Sequence, residues 1–238
     1  MAERVLISGK ANSGKTTLVK DLPADETFVL AVDEKPFPFQ MPHTNVYGFT
    51  DMDSFINGED YEDENNELAH TDGAFDKLQL FKDKFGKLPT YLVIDSVSRV
   101  FQIAYDNLND KFSNDNFKLY AALDREVKRL REFLVTLQDN GINVIMVSHA
   151  MYDEKEDSYK MVDKGSFSKS GGFLSIVDYA IFVEVKGKKR TIHHKNPALA
   201  SRCLLEDIPD KENVSEFNLK DYLEKIQAAK HDVAKFTF

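Results

Sequence analysis

Residues 9–16 read Gly9-Lys10-Ala11-Asn12-Ser13-Gly14-Lys15-Thr16, which satisfies G-x-x-x-x-G-K-[ST] at every fixed position. The pattern is informative because geometry dictates it. Gly9 and Gly14 permit a tight turn whose amides point inward and cradle α- and β-phosphates. Lys15 then reaches β/γ oxygens, and the Thr16 hydroxyl supplies one ligand to Mg2+. With Thr17, the candidate nucleotide-contacting stretch runs from Gly9 through Lys10, Ala11, Asn12, Ser13, Gly14, Lys15 and Thr16. The apolar run Arg4–Ser8 reads as a strand, and Thr16–Lys20 as a helix whose N-terminal end faces the phosphates. ATP and Mg2+ are the expected cofactors. The bland alternative is a glycine-rich turn with a stray lysine. Such a string arises by accident in roughly one chain in a hundred of this length, and the flanking strand and helix count against it.

Working outward, apolar runs of strand length recur at Thr27–Asp33, Thr90–Asp95, Ile142–Ser148 and Ile176–Val185. Helical periodicity fills most of the gaps, and that alternation predicts an α/β fold, mainly a parallel sheet with flanking helices. The clearest helix spans Asn116–Asn140, where Tyr120, Leu123, Val127, Leu130, Leu134 and Leu137 step by three and four. Asn140-Gly141 ends it. Shorter helices are predicted before Pro23 and over Ala74–Phe85, with a closing amphipathic helix at Leu219–Ala229 within residues 218–231. Lys188–Lys195 and Arg202–Glu206 read as additional strands, a C-terminal β extension. Residues 1–238 read as one domain.

At 238 residues the chain is long enough to bury a full core. Its single cysteine, Cys203, excludes an internal disulfide. Met1-Ala-Glu-Arg4 carries no leader pattern, and no apolar stretch is long enough to span a bilayer, so a cytoplasmic protein without a membrane partner is expected. The net charge of -9 argues against a general nucleic-acid coat but leaves room for a local basic groove. Much of the acidity lies in Asp51–Asp72, read as a solvated, partly flexible insertion because it lacks the ligand-and-glycine spacing of a calcium loop.

Further site residues follow from strand ends. Thr90–Asp95 is an apolar strand closing on an acid, which makes Asp95 the second candidate metal residue beside Thr16. Hydrolysis also needs a group that positions water. Ser96 follows Asp95, so an adjacent glutamate is missing there, and the end of the second strand offers Asp33 and Glu34 instead. Glu34 is favoured as general base with Asp33 competing; ordinary strand-end acids are the plain alternative. Ser148-His149 ends the next strand, where His149 could bond the γ-phosphate or the attacking water rather than serve structure alone. His149, His193 and His194 have no zinc-site spacing.

Together these segments resemble the RecA-like P-loop ATPases, especially the short core-only phage recombination ATPases. The resemblance covers residues 4–206 and rests on the loop, on Ile94-Asp-Ser-Val97, on Val147-Ser-His149, on the Gly-Gly step in Ser170–Val183, and on Arg190-Thr-Ile-His-His-Lys195. It implies a Mg2+-dependent ATP hydrolase acting on single-stranded DNA in recombination or replication, in a phage-infected bacterial host. It also implies a homo-oligomer in which Lys195 or Arg202 completes a neighbour's ATP site. The stretch after His149 sees no arginine-bearing lid in cis. Departures are histidine in place of the usual sensor glutamine and the little sequence before the loop. The stretch 150–172 is the candidate DNA-binding loop, with Lys160, Lys164 and Lys169 neutralising phosphates and Phe167 stacking on bases. Its acids, Asp153, Glu154, Glu156, Asp157 and Asp163, offset those lysines, so a plain solvated loop is the rival. Two other functions compete: a nucleotide-gated regulatory protein that does not touch DNA, and a small-molecule P-loop kinase, which the missing arginine-rich lid disfavours.

Overall fold

The computed structural model describes residues 2–32, 36–154, 158–161 and 163–233. The chain opens with β1 (Arg4–Gly9), turns through the glycine loop into α1 (Lys15–Leu18), and returns along β2 (Thr27–Ala31) and the short β3 (His43–Asn45). Next come α2 (Met52–Asn57), the hairpin β4 (Glu59–Glu62) and β5 (Leu68–Thr71), then α3 (Ala74–Phe85) and β6 (Tyr91–Asp95). Two helices follow, α4 (Val97–Lys111) and α5 (Asn116–Asp139), leading into the long β7 (Asn143–Asp153). The remainder is β8 (Ser158–Met161), α6 (Gly165–Lys169), β9 (Tyr179–Lys186), β10 (Lys189–His193), β11 (Lys211–Asn213) and α7 (Leu219–Val233).

The main sheet runs β11-β10-β9-β1-β7-β6-β2-β3, with β8 paired to β7. The five strands from β9 to β2 are parallel, and β10 and β11 are antiparallel additions. Side chains alternate along each strand, so each face builds its own core. Leu6, Leu30, Leu92, Ile94, Val144 and Met146 face α2 to α6 on one side. Val5, Ile7, Val29, Val93, Ile145 and Val147 face α1 and α7 on the other. Burial on both faces explains why these strands read as continuous apolar runs.

Several expectations need correction. Arg202–Glu206 is not a strand: Arg202 makes one bridge to Ala180, and the chain then turns away with Leu204 exposed. Tyr120 lies on the partly exposed side of α5; Leu119 and Phe133 take the buried stripe. The acidic stretch 51–72 is not simply a solvated insertion. Asp51 caps α2 by accepting from the Ser54 amide at 2.9 Å, and Met52, Phe55 and Ile56 enter the core. Glu126 of α5, its carboxyl pushed up by burial, accepts from the Met52 amide at 2.7 Å and from Arg129 at 2.6 Å. Only the β4–β5 hairpin matches the solvated reading. There His70 lies between Asp60 and Asp76, and those bonds raise its pKa.

Candidate functional site

Parallel order and register create the site. β7 separates β1 from β6, so the carboxyl ends of three adjacent strands deliver Gly9, His149 and Asp95 to one edge. The loop between β1 and α1 needs its glycines. A Cβ at Gly9 would stand 2.6 Å from the Val183 carbonyl oxygen and 2.8 Å from Ser13 Oγ, and Gly14 has φ 96°. Both positions exclude side chains.

Lys15 is only 5% exposed. Its ammonium donates to the Gly9 carbonyl at 3.0 Å and the Lys10 carbonyl at 2.7 Å, and lies 3.5 Å from His149 Nδ1. Thr16 Oγ1 donates to Asp95 Oδ2 at 2.6 Å. The histidine is anchored from behind: its amide donates to Ser98 Oγ at 3.2 Å, and Ser98 in turn donates to Ser96 Oγ at 3.3 Å. Thus the serine after Asp95 ties the β6 end to the β7 end through Ser98, a residue the sequence reading passed over.

A cleft of about 410 Å³ lies over this edge, lined by Asn12 to Thr17, Ala31, Pro36, Phe37, Pro38, Asp95, His149 and Arg190. Phe37 stacks on His43, ring centroids 5.2 Å apart, and so gives the β2 side an apolar wall. Lys10 points the other way and covers the Tyr159 ring of β8 at 5.1 Å. Asp33 and Glu34 lie outside the described residues.

Arg190, on β10 rather than in a lid, lines the cleft of its own chain. β10 runs antiparallel to β9, so its first residues stand beside the loop and its last residues lead away. Lys195 follows that exit and bonds the Glu206 carbonyl at 3.5 Å; Arg202 bonds the Leu174 carbonyl at 3.4 Å. Neither lines the cleft of its own chain.

The stretch 150–172 also departs from expectation. β7 continues to Asp153 and pairs with β8, and α6 follows, so a hairpin and a helix replace a loop. Phe167 is 2% exposed, its ring 5.5 Å from Phe101 and 5.2 Å from Phe173. It is a core residue and has no face to offer a base. Lys164 is exposed and covers the Tyr105 ring at 5.3 Å; Lys169 is exposed at the end of α6. Lys160 pairs through its backbone with Met151. The three histidines part company: His193 bonds Glu184 at 3.1 Å, and His194 bonds Glu212 at 2.8 Å. Burial holds the His194 imidazole below its usual pKa, the Glu212 bond notwithstanding.

No curated protein matches the chain by sequence. Residues 1–200 match the AAA domain family. With that match, a mainly parallel sheet between helices and a phosphate-loop cleft at its edge, the chain belongs to the AAA domain family and has the fold of a P-loop ATPase.

Proposed function

We propose that the chain is a RecA-like, Mg2+-dependent ATPase acting on single-stranded DNA as an oligomer with shared ATP sites. The observation that carries the ATPase reading is the joint closure of the loop, Asp95 and His149 around one cleft. The Thr16 hydroxyl and Asp95 carboxylate are hard oxygen donors at bonding distance, a pair suited to Mg2+. When bound, Mg2+ would supply charge to the β- and γ-phosphate oxygens. Lys15 would exchange its carbonyl partners for phosphate oxygens, and His149 would report the γ-phosphate to Ser98 and α4. Glu34, or Asp33 in its place, would orient the attacking water. Lys195 and Arg202 turn from their own cleft, so any catalytic service from them falls to a neighbouring subunit.

The DNA reading now rests on different rings. Phe117 is 84% exposed and Tyr120 is 40% exposed, both on α5. A Cβ on Gly165 of α6 would stand 2.7 Å from the Tyr120 ring, so Lys164 and Lys169 share that neighbourhood. Exposed rings beside lysines suit a strand of unpaired bases. The acidic β4–β5 hairpin favours the rival, a nucleotide-gated switch with a protein partner. ATP turnover with and without single-stranded DNA separates the two. Stimulation by DNA that vanishes in Glu34→Gln supports the proposal; turnover indifferent to DNA selects the rival; no turnover in the parent chain refutes both.

A further inference from the structure

Arg190 has no part in the reading above, yet it lines the same cleft as the loop. It lies opposite Val185 in the β9–β10 pairing, just beyond Val183, the partner of Gly9 in the β1–β9 pairing. That register sets it at the loop's end of the sheet. Its Nε is 4.0 Å from the place a Cβ on Gly14 would take. The backbone beneath is fixed, because the Arg190 carbonyl accepts from the Val214 amide at 3.2 Å.

Charge argues for an anion. Arg4 is paired with Asp178 and Arg129 with Glu126, but among the described residues no acid pairs with Arg190. Asp95, the acid in the described lining, already accepts from Thr16 and belongs to β6, on the far flank of β1 from Arg190; Asp33 and Glu34 follow β2 in sequence and lie outside the described residues. An exposed guanidinium left over beside a rim of loop amides is a site for phosphate oxygens.

Position decides which phosphates. Thr16 leans to Asp95 on β6 and Lys15 to His149 on β7, so the metal and the terminal phosphate belong on that flank. β10 lies on the other flank of β1. We infer that Arg190 is a second phosphate-holding cation, supplied by the same chain, that grips the α/β-diphosphate part of the nucleotide from the β10 side. The inference rests on the nucleotide-binding reading of the cleft and specifies how the ligand is held. A group there contributes to ADP and ATP alike, unlike one that acts on the γ-phosphate during transfer.

Equilibrium binding of ADP and of ATP, each with Mg2+, to the parent, Arg190→Ala, Arg190→Lys and Lys15→Ala chains is the test. Arg190→Ala is expected to weaken both nucleotides by about ten- to a hundredfold, the loss of a charge-assisted contact. Arg190→Lys recovers part of it, keeping the charge without the fork. Arg190 is exposed, so thermal unfolding without nucleotide should be unchanged, and Lys189→Ala should bind as the parent does. Parent-like ADP affinity in Arg190→Ala overturns the inference, including the case in which turnover alone falls. If the parent binds neither nucleotide, the nucleotide reading fails and the inference with it.

Discussion

Lys15→Ala probes both faces of the phosphate-loop lysine. With 5% of its surface exposed, this side chain is an internal tie as well as a ligand-facing charge. Among the described contacts, removing it deletes the bonds to the Gly9 and Lys10 carbonyls at 3.0 and 2.7 Å. Hydrogen bonds from a charged donor contribute about 1.5–3 kcal/mol each, so the gross loss is about 3–6 kcal/mol. Two effects offset it. The ammonium no longer suffers desolvation, a penalty of several kcal/mol for a buried ion, and at the exposed Lys10 water replaces the lysine on the carbonyl, while the Gly9 carbonyl belongs to a buried residue. A net change of about 0–2 kcal/mol follows, which in a chain of this size lowers Tm by no more than about 8 °C. The functional loss is far larger, because removing one preorganised donor to a developing charge costs about 10²–10³ in turnover. Thermal unfolding and phosphate release measured on one preparation read both numbers. Parent-like turnover refutes the site; a Tm drop beyond about 15 °C refutes the cancellation and makes Lys15 a structural pillar.

Phe167→Ala should destabilise by about 3–5 kcal/mol, read by urea unfolding, while the folded fraction keeps its DNA affinity; an unchanged midpoint with lost DNA binding would restore its stacking role. Phe117→Ala should do the reverse, moving stability by less than about 0.5 kcal/mol and weakening single-strand binding by about 1–3 kcal/mol. Replacing Lys164 and Lys169 together should flatten the salt dependence of DNA binding by about 0.7 log units per lost contact, and an unaltered slope removes them from the interface. Because burial depresses the His194 pKa, the unfolded chain binds the proton more readily. Its contribution to stability is therefore full above about pH 6.5 and declines as pH falls below that value. Urea midpoints from pH 7.5 to 5 should fall less steeply in His194→Gln, and parallel curves would contradict the assignment.

Where a residue's neighbours in sequence are also its neighbours in space, the sequence was readable. The loop, the parallel strands and α5 belong to that class, since their periods of two and 3.6 record burial directly. α4 carries the same mark, Val97, Val100, Phe101 and Ala104 at helical spacing and all buried, but no helix was expected there. Phe167 was not, because a five-residue helix among Ser, Lys and Gly has no period, and only Phe101 and Phe173 bury it. Arg190 turned on direction. Its strand was recognised, but which end meets the loop depends on the turn at Gly187, with φ 61°, which makes β10 antiparallel. Lys186-Gly187-Lys188 carries that signal. Ser98 is a tertiary bond with no local mark.

Among the described residues β7 is the longest strand, and it does not stop where the nucleotide cleft does. Asn143 to Asp153 is one extended segment with no glycine or proline, passing the cleft at His149 and continuing four residues into the pairing with β8. At about 3.3 Å per residue, that overhang is a lever of about 13 Å with no hinge in it. Its far end is braced through Tyr152 on Tyr159, whose ring meets both Phe182 and the Lys10 ammonium. Load applied to the β7–β8 pairing is therefore felt at two points of the phosphate site at once, at His149 along the strand and at Lys10 across the ring.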